Sequence, residues 1–526
     1  MSLWPDNHAN GFSGTLGADL PFKSRYMGTV SYSMMRQNDA FLPWTITALP
    51  GAWQFTGLGP PNLTSSLPAQ SLNGAINTLL INNVLTTKIT PDLQTKLSYR
   101  YYDFNNRTPE ILFQDWVISD AIRAGCNHPV NSRTCAAGTG TTAEYAPVQS
   151  ISISYTKQNA AAQVDWRPSK QWNVGAAYGW ERYDWTRADV DVTNEHSVKI
   201  FGDFKPAGWG VMRGSWEFSE RRYENYNYLA YVASAQWPST AFNDPADVAA
   251  NGASTRYATA YRQFLLDNRE RNKVKFLYDF DLIPGVVITP NAGVRWDDYR
   301  LDPAVTEGLM WDHSWFAGID VSWTPAAGLT FLVSYMAERQ NQRIRSGSLF
   351  PPATAANRYT VDVDDTVNTV MLAANWEAIP KRLDFKLSYT VSWTLDTQPL
   401  LFDNGTPPTV GGHATQYPDV RNLWQRVDAV AKYRFDEDWV HNMGFKGDII
   451  ATLRYGWERN HVVNWQIDPI APYLGPVPGA PFAQDCGGLA LSGGTPNNGC
   501  GYMVWIPWDN PNYNVQMVAG SVAFKW

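Results

Sequence analysis

The sequence predicts an all-β fold, a single large antiparallel transmembrane β-barrel of outer-membrane type occupying residues 1–526. Three observations predict it. Apolar and polar residues alternate with period two over segments long enough to cross a bilayer. Aromatic residues make up 14% of the chain while charged residues make up only 17%. Short turns and long polar loops follow one another along the chain.

Composition sets the class. A soluble surface usually needs about 25% charged residues, so part of this surface is expected to face something other than water. With 24 Trp and 26 Tyr the chain is rich in side chains that suit a membrane interface. Yet no run of 18 apolar residues occurs and the mean hydropathy is −0.33, which excludes spanning helices. Barrel strands alternate, so only half of each strand meets lipid and hydropathy averages conceal them. A net charge of −7 and the lack of a basic stripe argue against nucleic acid as a partner.

The strands show themselves by alternation. From Leu383 to Asp396, Leu383, Phe385, Leu387, Tyr389, Val391, Trp393 and Leu395 take one face, and Asp384, Lys386, Ser388, Thr390, Ser392, Thr394 and Asp396 take the other. The segment exceeds the roughly five or six residues of an average strand and suffices for a tilted crossing. The same design recurs at residues 26–34, where Tyr26, Val30 and Tyr32 alternate with Thr29, Ser31 and Ser33, and at 212–219 and 273–281. Residues 445–457 behave likewise. Counting gives about 17 strands.

Turn-forming residues mark the short connections at Leu20 to Ser24, Thr90 to Asp92, Arg167 to Lys170, Pro325 to Gly328 and Pro380 to Arg382. Between them lie long polar loops at roughly 37–71, 106–146, 223–272, 342–366, 397–422 and 458–512. In outer-membrane barrels the short turns are periplasmic and the long loops extracellular. Within 245–271, Tyr257, Tyr261, Phe264 and Leu265 are spaced for a short surface helix, with an irregular loop as the alternative. If the first turn near Pro21 is periplasmic, the strand before it descends from outside. Either earlier strands are then missing or one loop hides a strand. No signal peptide follows Met1, which fits a processed or shortened chain.

Few residues suggest chemistry. The seven histidines, His8, His128, His196, His313, His413, His441 and His461, fall in loops or near strand ends with no paired nucleophile, so no enzyme activity is expected. Cys126 with Cys135 and Cys486 with Cys500 form two close pairs in Gly/Asn/Thr-rich loops. They read as two disulfide-closed loops in an oxidising compartment, or as four separate thiols. No Cys-x-x-Cys-His occurs, so the chain attaches no haem of its own. The acidic runs 189–191 and 362–365 read as solvated loop carboxylates rather than Ca²⁺ ligands, since neither has EF-hand spacing.

The polar side of the strands is more telling. Arg100, Arg213, Glu217, Lys273, Lys275, Asp279, Arg295, Asp384, Lys386, Lys446, Asp448 and Arg454 are expected to face the lumen. So are Arg221, Asp281, Asp297, Glu338, Asp428, Lys432, Arg434 and Glu458. Interspersed charges of both signs suit either a water-filled pore with its own ion-pair ladder or a socket for a protein threaded through it. A barrel of more than about 16 strands has room for both.

The N-terminal segments Trp4-Pro5-Asp6-Asn7, Gly11 to Leu20, Thr29 to Thr45, Leu72 to Leu79 and Leu97 to Asp103 resemble the MtrB/PioB family of decahaem-associated outer-membrane proteins. The alternating terminus Ser521 to Trp526 is similar to the C-terminal signal of bacterial barrels. The resemblance implies a barrel of about 26 strands. It also implies a periplasmic multihaem c-type cytochrome held inside, with a second docked outside in some members. The job implied is a conduit for extracellular electron transfer, whose haem is carried by the partner. The alternative reading of the pattern is a general diffusion porin for small solutes.

Overall fold

The computed structural model describes residues 6–41, 68–117, 145–187, 189–206, 208, 210–226, 265–301, 307–347, 358–402, 419–435, 440, 447–464, 490–491, 495–496 and 512–525. Its main sheet has eighteen strands, one of them the three-residue Leu400–Phe402. The other seventeen, 18 less that one, form an antiparallel meander in which each strand pairs with the next in sequence. In chain order they are β1 (His8–Leu20), β2 (Ser24–Gln37), β3 (Gly74–Thr90), β4 (Leu93–Asn106), β5 (Tyr155–Trp166) and β6 (Trp172–Trp185). Next come β7 (Val190–Phe204), β8 (Gly210–Tyr226), β9 (Arg269–Ile283), β10 (Val286–Asp298), β11 (Gly308–Ala326) and β12 (Leu329–Gly347). The last are β13 (Arg358–Ile379), β14 (Leu383–Thr397), β15 (Val420–Arg434), β16 (Asp448–Val463) and β17 (Tyr513–Lys525). Among the described residues β1 and β17 are the two edges and do not pair.

The predicted alternation decides the faces because registered partners share a face. One row runs Phe280, Ile288, Val321, Val333, Leu372, Tyr389, Val427, Trp457 across β9 to β16, each residue opposite the next. It contains no charged residue. Its neighbours on that face are exposed, Leu387 at 53% and Leu453 at 57% among them, so the large apolar side chains point away from the protein. Aromatic rings gather at the short-turn end of this band: Trp172 stacks on Phe204 at 4.2 Å, Trp323 on Phe331 at 5.6 Å and Trp376 on Phe385 at 5.8 Å. Exposed Trp296, Trp315 and Trp393 lie toward the other end. Such double girdles are the pattern of barrel strands at two membrane interfaces.

Past the second girdle the same face turns ionic. Arg343 pairs with Asp362 at 2.7 Å, Arg182 with Asp184 at 2.8 Å, and Arg339 with Asp364. This corrects the loop reading of residues 342–366. Asp362 and Asp364 are strand residues neutralised by arginines across the β12–β13 ladder, and that Arg/Asp lattice, having no apolar alternation, hid the extension. Asp189 is likewise no solvated carboxylate; it is 2% exposed and held by Arg187 at 2.8 Å. Residues 269–272 also leave the predicted 223–272 loop and join β9. Residues 400–402 form a strand inside the predicted 397–422 loop. Two connections at the long-loop end, 186–189 and 299–307, are short, whereas the β15–β16 connection at the other end runs 435–447. The helix spacing at 257–264 and all four cysteines lie outside the described residues.

Turns carry the strain. Phe22 and Lys23 both have positive φ, 63° and 55°, and so does Lys381 at 61°. Gly210, opening β8, has φ 117°, and a Cβ there would overlap the Asp279 carbonyl of β9. Only glycine fits.

Candidate functional site: the polar face of the sheet

The opposite face carries the charges. Lys199, Glu217, Lys273, Arg295, Ser314, Gln340, Asp365 and Asp396 form one registered row from β7 to β14, every member polar. A second row joins Asn82, Arg100, Asn159 and Glu181 across β3 to β6. Of the sequence-predicted residues, Arg100, Arg213, Glu217, Lys273, Lys275, Asp279, Arg295, Asp384, Lys386, Asp448 and Arg454 share this face by strand register. Lys446 lies outside the described residues.

Three ionic clusters organise the face. The most buried spans β7 to β12 near the long-loop end. Arg269 pairs with Glu195 at 2.7 Å. Arg271 grips both oxygens of Asp297 at 2.6 and 2.7 Å, and Arg295 approaches Asp297 at 3.7 Å and Asp312 at 2.8 Å. Gln340 Nε2 donates to Asp312 at 3.1 Å. Asp297 is only 1% exposed. A buried carboxylate survives only when paired and hydrogen-bonded, and two arginines supply that here. Residues 266–268 close over this region, with Arg221 Nε donating to Asp267 O at 2.8 Å and Asn268 Oδ1 accepting from Tyr223 N at 3.0 Å. Leu266, Val190, Tyr299 and Met310 are buried as well.

On β15 and β16, Asp428 sits between Arg426 and Arg454, the latter at 2.7 Å, and Arg426 reaches Glu458 at 3.6 Å. At the short-turn end Arg213 pairs with Asp279 at 2.8 Å, which also accepts from Thr289 Oγ1 at 2.9 Å. By contrast Lys275, Lys386 and Lys432 make no ion pair among the described residues.

Sequence reasoning missed Glu195, Arg269, Arg271, Asp312 and Arg426. A signal existed for two of them, since Arg269, Arg271, Lys273 and Lys275 are spaced by two, but the polar run 223–272 masked it. Four of the seven histidines, His8, His196, His313 and His461, lie among the described residues, each on a different strand. His196 lies mid-strand on β7, contrary to the loop or strand-end placement, and its Nδ1 is hydrogen-bonded with the Tyr178 hydroxyl at 2.6 Å. His313 stacks on Trp311. Among the described residues no three His, Cys, Asp or Glu side chains gather as metal ligands.

Seventeen long strands with one girdled apolar face and one charged face define an integral β-barrel of the bacterial outer membrane. The chain belongs to the MtrB/PioB family: a family model described as "Putative outer membrane beta-barrel porin, MtrB/PioB" matches residues 1–526. No curated protein matches it. Solved structures similar to it include the outer-membrane transporter YddB from Escherichia coli, at 7% identity and TM-score 0.39, covering 86% of this chain and 71% of that one. The ferric enterobactin receptor PfeA of Pseudomonas aeruginosa, a mutant form, matches at 11% identity and TM-score 0.36, over 86% and 73% of the two chains. The siderophore receptor PirA of the same organism matches at 10% identity and TM-score 0.37, over 89% and 76%.

Proposed function

We propose that this porin-family barrel is a non-catalytic sheath. Its polar face lines a lumen that holds a periplasmic multihaem c-type cytochrome, and electrons cross the outer membrane along the haems of that guest. The supporting observation is the polar face itself: charged and hydrogen-bonding residues in unbroken registered rows, on a wall of too many strands for side chains to fill the interior. The family resemblance supplies the identity of the guest.

The physical need is plain. Haem propionates and loop backbone cannot sit in hydrocarbon without large desolvation costs. A barrel replaces lipid with polar side chains around the guest while its outer band satisfies the membrane. Arg269 with Glu195, Arg271 with Asp297 and Arg295 with Asp312 neutralise one another within the wall, whereas Lys275, Lys386 and Lys432 remain available to acidic groups on a guest. In this reading the short turns are periplasmic, the long loops with both cysteine pairs are extracellular, and an outer multihaem cytochrome docks on those loops.

Affinity purification of the tagged chain from its native membrane tests this. The expected result is a haem-staining partner at about one per barrel and a reconstituted complex with little ionic conductance. A barrel that purifies without haem and conducts freely would refute the sheath and favour the diffusion porin.

A further inference from the structure

The short turns differ in charge. The β5–β6 turn reads Arg167-Pro168-Ser169-Lys170-Gln171 and the β7–β8 turn opens with Lys205-Pro206, and neither turn holds an acidic residue. The β9–β10 turn, Ile283 to Val286, and the β11–β12 turn, Pro325 to Gly328, hold no charged residue at all. Backbone bonds fix the basic turns in place: Lys205 N donates to Gln171 O at 2.7 Å, and Arg167 N donates to Asp92 O at 2.8 Å. Lys170 and Lys205 therefore sit on adjoining turns. Just inside them, on the lipid-side face, Trp166 and Trp172 are about half exposed, and Trp172 stacks on Phe204 at 4.2 Å. Such rings lie at headgroup level, so the three cations stand where lipid phosphates are.

Arg167, Lys170 and Lys205 are exposed, and none of them has an ion-pair partner among the described residues. The carboxylates of the adjoining strands face the other way. Asp165 lies on the polar face and accepts from Gln163 Nε2 at 2.8 Å. Asp203, on the same face, accepts from Asn173 Nδ2 at 3.3 Å and lies 4.0 Å from Arg213. Asp92 meets Arg167 through the backbone alone, and Asp281 belongs to β9, two strands from Lys205. Cations left in excess at a membrane surface attract anionic headgroups.

We propose that the β5–β6 and β7–β8 turns form a binding site for one anionic glycerophospholipid, the headgroup held by Arg167, Lys170 and Lys205 and an acyl chain passing Trp166 and Trp172. The choice of lipid rests on the reading that the short turns are periplasmic, because that leaflet of an outer membrane is phospholipid. It does not depend on what fills the lumen.

Native mass spectrometry of the full chain in mild detergent tests the site by titration with phosphatidylglycerol and, separately, with phosphatidylcholine. One phosphatidylglycerol is expected to bind more tightly than phosphatidylcholine. The triple variant Arg167→Gln, Lys170→Gln, Lys205→Gln should bind phosphatidylglycerol on the order of a hundredfold more weakly and lose the preference. Lys23→Gln, which removes a cation from the β1–β2 turn, should bind as the wild type does. Heat-modifiable migration of each variant establishes that it has folded. Unchanged binding by the folded triple variant, or an equal loss in Lys23→Gln, would overturn the site and leave the orientation standing. A phosphorylated glycolipid released at these turns from protein taken directly from the outer membrane, its adduct lost in the triple variant, would overturn the orientation and the choice of phospholipid together.

Discussion

Arginine placed at successive positions along β14 should trace the thickness of the membrane. From Phe385 to Leu395 the apolar face spans ten residue steps. At about 3.4 Å per residue this is roughly 34 Å of strand, and a tilt near 40° leaves about 26 Å of depth, close to the apolar band of roughly 25 Å seen in such barrels. The middle falls between Tyr389 and Val391. Arginine at either should therefore cost about 2–4 kcal/mol, and at Phe385 or Leu395 about 0–1 kcal/mol, with Leu387 between. Thr390 and Ser388 project to the other face, and arginine there should cost little. Unfolding free energies from denaturant titration in lipid vesicles would measure the series. A flat profile, or equal costs at Tyr389 and Thr390, would refute the assignment of faces.

Other outcomes follow from single contacts. Asp297→Ala leaves Arg271 and Arg295 facing a buried void, so it should destabilise the barrel by about 3–5 kcal/mol. Asp428→Ala, whose partners are more exposed, should cost about 1 kcal/mol or less, both being read as shifts in the denaturation midpoint. Gly210→Ala should cost at least the roughly 1–3 kcal/mol of backbone strain, with the Cβ overlap on the Asp279 carbonyl adding to it, and a wild-type midpoint would show that β8 starts differently. Alkylation with and without reductant should label the four cysteines only after reduction; labelling of the untreated protein would show free thiols.

The fold was legible wherever water and lipid impose opposite demands on alternate residues. β14 could be assigned residue by residue because Leu387 and Ser388 answer to different solvents. Legibility failed where the strands leave the band. On β12 and β13, Arg339, Arg343, Asp362 and Asp364 continue the ladder on the lipid-side face above the girdle, where a charged pair serves as well as an apolar one and the alternation vanishes. The polar face was legible as a list of charges but not as partnerships. Arg271 and Asp297 lie far apart in sequence, and only the β9–β10 register brings them opposite each other.

The two unpaired margins, β1 and β17, have a shared consequence. Among the described residues the meander has seventeen strands, an odd number, which leaves both pointing from the loop end toward the turn end. Were they to zip directly together, the seam would be parallel, with slanted and somewhat weaker bonds, unlike every other junction in the wall. An antiparallel seam instead requires one, three or another odd complement of strands between them. Whatever seals the cylinder must therefore either accept a mismatched join or enter and leave on opposite sides of the membrane.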